Sequence, residues 1–136
     1  MSAMGIVCWS LASALFAWST IRLKALTTGG ALAASTLGIT VVLLTGPAWL
    51  VPLIFFFGSS LALGLLLKPQ RVAASDDKQG SPRDAVQVLC NGLPYAVLAV
   101  WSGAAPQAFG VYLLISMAVA TSDTWSSEVG IALRGQ

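Results

Sequence analysis

The chain has 136 residues, of which 57% are hydrophobic and only 9% are charged, and its mean hydropathy is +0.83. Soluble domains carry about 25% charged residues, so this composition excludes an ordinary soluble domain and predicts a protein that folds in lipid. The absence of histidine excludes the histidine-based catalytic pairs and most zinc sites, and the net charge of +2 is too small to indicate nucleic-acid binding.

The first predicted helix spans residues 3–21, an uncharged run that is followed by Arg22 and Lys24. A cleaved signal peptide is the alternative for this run. Signal peptides carry positive charge before the apolar run, whereas here the charge follows it, which favours a retained membrane helix.

The second uncharged run, residues 25–67, is too long for one crossing. As a single helix it would extend about 64 Å, whereas the hydrocarbon core of a bilayer is about 30 Å thick. The segment "TGPAW" (45–49) contains the glycine and proline that end helices. The run therefore predicts two helices, at 31–45 and 48–67.

Most of the charged residues lie in the segment 68–84, which predicts an exposed loop. The uncharged run after it is divided by "SGAAPQ" (102–107), which predicts two further short helices, at 85–101 and 107–122.

Five predicted crossings place all seven Lys and Arg residues on one side of the membrane. The positive-inside rule assigns that side to the cytoplasm and the N-terminus to the outside. The sequence thus predicts an all-α integral membrane protein with about five transmembrane helices, a single multi-pass domain over 1–136, and charged loops on the cytoplasmic side.

Three polar clusters fall on that same side, and the first cluster comprises residues 22–35. In it, Lys24 precedes Thr28 and Gly29 at the start of a predicted helix. A helix N-terminus offers free N–H groups and a partial positive charge to an anion. The alternative is an ordinary turn with threonine caps and snorkelling basic side chains.

The second cluster comprises residues 80–95. At 100° per residue, Asp84, Gln87 and Asn91 share one helix face, and Arg83 flanks them at the membrane surface. Asn91 is expected about 10 Å deeper than Asp84. Amides inside a membrane mark either a polar path or an interhelical contact, and both interpretations stay open here.

The third cluster comprises residues 120–130 and carries Asp123, Ser127 and Glu128. Two carboxylates with nearby hydroxyls suit a magnesium ion that holds substrate phosphates. If the helix continues, Glu128 points about 140° away from Asp123, so a shared metal requires a break between them. The alternative is a solvated helix end.

Three segments, "KALTTGGALAAS", "GSPRDAVQVLCNG" and "ATSDTWSSEVG", together resemble the membrane family called domain of unknown function 92, also known as the transmembrane protein 19 family. The resemblance covers the chain from about residue 20 to its end. One branch of that family includes a plant chloroplast kinase that phosphorylates phytyl phosphate. Family members usually continue beyond the third segment, so the resemblance also implies a chain truncated at its C-terminus.

The resemblance implies a membrane enzyme that transfers a phosphoryl group from a nucleotide, CTP, to an isoprenoid monophosphate, with Mg²⁺ as cofactor. Arg83 and Lys24 would face phosphates, and Asp123 and Glu128 would hold the metal. The other candidates would position or bind substrate: Asp84, Gln87, Asn91, Thr28, Gly29 and Ser127.

Two other classes of function stay open from the sequence. In a transporter or channel component, the Asp84–Gln87–Asn91 stripe would line a polar path. In a non-catalytic assembly subunit, the same polar residues would hold helices or copies of the chain together, and an oligomer is compatible with the sequence.

Overall fold

The computed structural model describes residues 3–67, 82–103, 105 and 107–134. These residues form five α-helices and one 3₁₀ helix and no β-strand, which confirms the predicted all-α class. The helices are α1 (Ala3–Arg22), α2 (Thr28–Thr45), the 3₁₀ helix (Pro47–Leu50), α3 (Val51–Leu66), α4 (Ala85–Ser102) and α5 (Gly110–Arg134). Of the loop predicted at 68–84, residues 68–81 lie outside the described part of the chain.

Helix α2 begins at Thr28, three residues before the predicted start at 31, because its N-terminus is capped. Thr27 has an extended backbone (φ −72°), and its hydroxyl oxygen accepts a hydrogen bond of 3.1 Å from the N–H of Gly30. This contact satisfies one of the N–H groups that a helix start leaves without an intrahelical partner.

The break between α2 and α3 falls in the segment that contains glycine and proline. Gly46 adopts φ +93°, a left-handed backbone that glycine takes without steric cost, and Pro47 starts the 3₁₀ helix. The hydroxyl of Tyr95 in α4 donates a 2.6 Å hydrogen bond to the carbonyl oxygen of Trp49, which ties this turn to the bundle.

Helix α5 runs to Arg134, past the end predicted at 122, so the prediction of its C-terminal boundary was wrong. No proline interrupts this helix. The polar residues are accommodated inside it: Thr121 donates to the carbonyl of Met117 and Ser126 to that of Ser122, each at 2.7 Å. Hydroxyls that bond to the preceding turn allow a polar stretch to remain helical.

The helices pack around α2 and α4, which share the largest interhelical contact. Helix α1 packs against α2, and α5 packs against α3 and α4. The buried core lies where α2, α3, α4 and α5 meet, and it comprises Val41, Phe56, Tyr95, Ala99, Leu113 and Met117.

The outer surface of the bundle is apolar, as a lipid-facing surface requires. Large hydrophobic side chains point outward from all five helices, with Trp101 76% exposed. In the described residues, three segments are long and apolar enough to cross a membrane: Thr28–Thr45, Pro47–Leu66 and Ala85–Ser102. The protein is therefore an all-α integral membrane protein.

Candidate functional site

The first two polar clusters meet through a short backbone pairing between Leu26 and Arg83. The N–H of Thr27 donates to the Arg83 carbonyl at 2.9 Å, and the N–H of Arg83 donates to the Ala25 carbonyl at 3.0 Å. Gly30 makes this approach possible, because a Cβ atom there would overlap the Arg83 carbonyl oxygen. The segment before α4 is thereby fixed against the start of α2.

The third cluster joins the first two through an ion pair. A guanidinium nitrogen of Arg83 lies 3.6 Å from a carboxylate oxygen of Glu128 in α5. The two side chains are 21% and 13% exposed. All three clusters therefore lie at one end of the helix bundle, and Arg83 touches both of the others.

Arg83 also lies at the polar end of a cavity of about 440 Å³. Its volume falls within the ~300–1,000 Å³ range of small-molecule sites. Helices α1, α2, α3 and α4 and the 3₁₀ helix form its walls, which are almost entirely apolar; they include Phe16, Leu37, Ile54 and Phe57. The rings of Phe16 and Phe57 contact edge to face at 5.5 Å and join α1 to α3 beside the cavity.

Asp84 and Gln87 cap the start of α4. A carboxylate oxygen of Asp84 accepts from the N–H of Gln87 at 2.9 Å, and the Gln87 amide oxygen accepts from the N–H of Asp84 at 3.1 Å. This reciprocal capping box is a structural role for both side chains. Gln87 also lines the cavity, whereas Asp84 does not.

Asn91 lies one turn further along α4, and its side chain also lines the cavity. Among the described residues, nothing forms a hydrogen bond with its amide, and the Ser35 hydroxyl in the same cavity is buried without a partner. A buried polar group without a partner is costly, so the Ser35 hydroxyl is available to a polar group of a ligand in this cavity.

The other candidate site residues of the first cluster, Lys24, Thr28 and Gly29, are exposed at the same end of the bundle. Lys24 adopts a left-handed backbone (φ +54°) in the turn between α1 and α2. Thr28 and Gly29 form the first turn of α2, and Gly29 lies close to Ala85 at the start of α4. None of the three lines the cavity.

The helix break that a shared metal would require does not occur between Asp123 and Glu128. Helix α5 is unbroken from Asp123 to Glu128, so the two carboxylates point in directions about 140° apart. Glu128 turns toward Arg83, whereas Asp123 and Ser127 are exposed. In the described residues, no group of three or more metal-ligating side chains converges.

The cavity itself could not be predicted from polar motifs, because most of its lining is apolar. The one available signal was the spacing of small residues in α2, where Gly30, Ala34 and Gly38 recur every fourth position. Such spacing usually indicates close helix packing. Gly30 does pack closely, against Arg83, whereas Ala34 and Gly38 line the cavity.

Comparison with known proteins gives one family. The family described as integral membrane protein DUF92 matches residues 11–136. No curated protein and no solved structure matches the chain. Since the family match covers nearly the whole length, the chain belongs to the integral membrane protein family DUF92.

Proposed function

We propose that this protein binds an isoprenoid monophosphate and serves as its phosphotransferase, with CTP as the phosphoryl donor. The observation that carries the proposal is the apolar cavity with Arg83 at its polar end. The lipid chain lies in the cavity and the phosphate lies at Arg83. The nucleotide and the reaction rest on the resemblance of the three polar segments to the phytyl phosphate kinase branch.

In such a site the lipid chain and the phosphate contribute differently to the binding free energy. Moving a lipid chain from the bilayer into an apolar cavity gains little, since lipid tails are as apolar as the side chains that replace them. Affinity must therefore come mainly from the phosphate. An arginine guanidinium matches a phosphate with two parallel hydrogen bonds, and Arg83 is held by backbone hydrogen bonds on both sides of its α-carbon.

In the transfer step, an oxygen of the lipid monophosphate attacks the γ-phosphorus of CTP. The bond from that phosphorus to the β–γ bridging oxygen breaks, and CDP leaves with the electron pair. The products are a lipid diphosphate and CDP. Phosphoryl transfer is achieved largely by positioning and charge neutralisation, so Arg83 supports it by holding the acceptor and offsetting its negative charge, and no histidine is needed.

The family resemblance implies Mg²⁺ as a cofactor of this reaction. Asp123 and Glu128 do not fit a shared ion, because they lie on different faces of α5. Glu128 is assigned instead to the contact with Arg83. Asp123 is exposed.

The transporter alternative is less well supported. A polar path requires side chains free to contact a solute, whereas Asp84 and Gln87 bind each other's backbone in the α4 cap. The cavity beside them is apolar rather than aqueous.

The test is transfer of label from γ-labelled CTP to phytyl and geranylgeranyl monophosphates in membranes that carry this chain. Arg83→Gln should abolish the labelled lipid diphosphate without loss of membrane insertion. Arg22→Gln is the matched control, because Arg22 stacks on Trp18 at the same end of the bundle but outside the cavity. Label at the parental rate in the Arg83 variant, or no label in the parent, would refute the proposal.

A further inference from the structure

One side of the cavity, between α1 and α3, is weakly packed. In the described part of the chain, the main interhelical contacts join the five helices in the order α1, α2, α4, α5, α3. The two ends of this row, α1 and α3, meet through the rings of Phe16 and Phe57, which touch edge to face with 5.5 Å between their centroids. Both rings line the cavity, so this aromatic contact closes the cavity between α1 and α3.

Near the 3₁₀ helix, the cavity opens toward the lipid-facing surface. Leu43 in α2 and Ile54 in α3 both line the cavity, yet their side chains are 59% and 60% exposed. Large apolar side chains that face both a cavity and the outside of a membrane bundle lie at the mouth of that cavity. Bilayer lipid therefore has access to this part of the cavity.

The aromatic contact lies between this opening and the end of the bundle that carries Arg83. A short turn connects the end of α1 at Arg22 to the start of α2 at Thr28, so positions on both helices can be measured from this end. Phe16 lies six residues before the end of α1, at about 9 Å. Leu43 lies fifteen residues after the start of α2, at about 22 Å.

We propose that the lipid enters the cavity sideways from the bilayer, between α1 and α3, and that the contact of Phe16 with Phe57 is the gate. The proposal rests on the proposed function, in which a lipid monophosphate binds with its phosphate at Arg83. A lipid in the membrane lies roughly parallel to the helices, with its phosphate at the surface and its chain in the hydrocarbon. In the bound state the phosphate lies on one side of the aromatic contact and the chain extends past it on the other. Lateral entry therefore requires the two rings to separate.

The surroundings of the two rings suit a gate. An aromatic pair is a weak contact compared with the packing of whole helices, and both rings are only half-buried. The buried core is formed by residues of α2, α3, α4 and α5, and α1 contributes none of its residues. A shift of α1 or a rotation of one ring can therefore open the passage without disturbing that core.

The test compares one protein with the gate bridged and with the gate free. The variant combines Phe16→Cys with Phe57→Cys, and the native Cys8 and Cys90 are replaced by serine because both are exposed. A bis-methanethiosulfonate reagent, with a spacer that takes the place of the two rings, then links α1 to α3. Dithiothreitol releases this bridge, so the bridged and the free states have the same sequence.

The readout is the rate of lipid exchange. The protein in nanodiscs is loaded with a photoreactive geranylgeranyl monophosphate and bridged, and an excess of the unlabelled lipid is added. Flashes at successive times measure the probe that remains bound, and labelling that is lost in Arg83→Gln defines the specific signal. Exchange should slow at least about tenfold in the bridged protein, because a required conformational change is blocked, and it should recover on reduction.

Two further comparisons separate a gate from a general effect on the bundle. Phe55→Cys with Trp125→Cys is the matched bridge, because these rings join α3 to α5 with centroids 6.5 Å apart and neither lines the cavity. Bridging this pair should leave the exchange rate unchanged. Phe57→Leu keeps the wall apolar but removes the ring contact, so it should speed exchange with little change in the amount of probe bound at equilibrium. Phe55→Leu, outside the cavity, should change neither value.

Equal exchange rates in the bridged and reduced states, equal slowing by the matched bridge, or no specific labelling of the parent would overturn the proposal. Its outcome is separable from that of the proposed reaction. Exchange that depends on the bridge without CTP-dependent transfer would refute the phosphotransferase and leave the gate standing. CTP-dependent transfer with exchange that is indifferent to the bridge would refute the gate alone.

Discussion

The close approach of Gly30 to Arg83 supports a quantitative prediction, because the adjacent Gly29 provides a matched control. In Gly30→Ala, the new Cβ would overlap the Arg83 carbonyl oxygen and would lie 3.4 Å from the carbonyl carbons of Arg83 and Asp84. Backbone atoms cannot rotate away as a side-chain end can. In Gly29→Ala, the new methyl group would meet the Cβ of Ala85 at 3.6 Å, an ordinary contact.

The size of the effect follows from the difference between the two variants. Each replaces a helical glycine by alanine, which by itself favours the helix by up to about 1 kcal/mol. Forcing extra carbon into a packed site costs about 1–3 kcal/mol. If the segment moves away instead, the two hydrogen bonds between Arg83 and residues 25 and 27 are lost, at about 1 kcal/mol each. Gly30→Ala should therefore be about 1–3 kcal/mol less stable than Gly29→Ala.

The assay is reversible unfolding in mixed detergent and lipid micelles, followed by circular dichroism, with both variants measured beside the parent. Gly29→Ala should match or exceed the stability of the parent. Equal stability of the two variants would show that α2 and the segment before α4 do not meet as described. The same result would mean that this backbone contact does not hold Arg83 beside the cavity.

Two further predictions concern contacts elsewhere in the bundle. Tyr95→Phe removes the 2.6 Å hydrogen bond to the Trp49 carbonyl and should lower the free energy of unfolding by about 0.5–1.5 kcal/mol. Tyr112→Phe, at an exposed hydroxyl in α5, should change it little, and equal losses in the two variants would contradict the assigned contact. Glu128→Gln should lower the free energy of unfolding by up to about 3–5 kcal/mol, because both side chains are mostly buried and Arg83 loses its charged partner, and it should tighten binding of geranyl monophosphate because a carboxylate no longer competes for Arg83. Weaker binding in that variant would mean that Glu128 holds Arg83 in its binding geometry.

The helices of this protein could be predicted from the sequence because a small number of physical signals determine where a membrane helix starts and ends. Uncharged runs too long for one crossing must contain a break, and Gly46 and Pro47 supplied it. The sequence also placed the three polar clusters at one end of the bundle, since successive crossings alternate direction. The Leu26–Arg83 pairing and the Arg83–Glu128 contact lie at that end.

The details of the site were less predictable, for two physical reasons. The acids of α5 were expected to share a metal, but a serine and threonine-rich stretch can remain helical when its hydroxyls bond to the preceding turn, as Thr121 and Ser126 do. The cavity depends on how α1 and α3 approach each other at Phe16 and Phe57, which is a matter of tertiary packing that no local pattern encodes.

The central claim is that a lipid monophosphate lies in this cavity with its phosphate at Arg83 and its chain directed toward the 3₁₀ helix. The most direct test is cross-linking with geranylgeranyl monophosphate that carries a diazirine at the far end of its chain, followed by mass spectrometry of the labelled peptides. The account predicts adducts on the cavity-lining residues Leu43, Leu50 or Leu53, with labelling that falls strongly in Arg83→Gln. Adducts confined to lipid-facing residues such as Trp101, or labelling that is indifferent to Arg83, would contradict it.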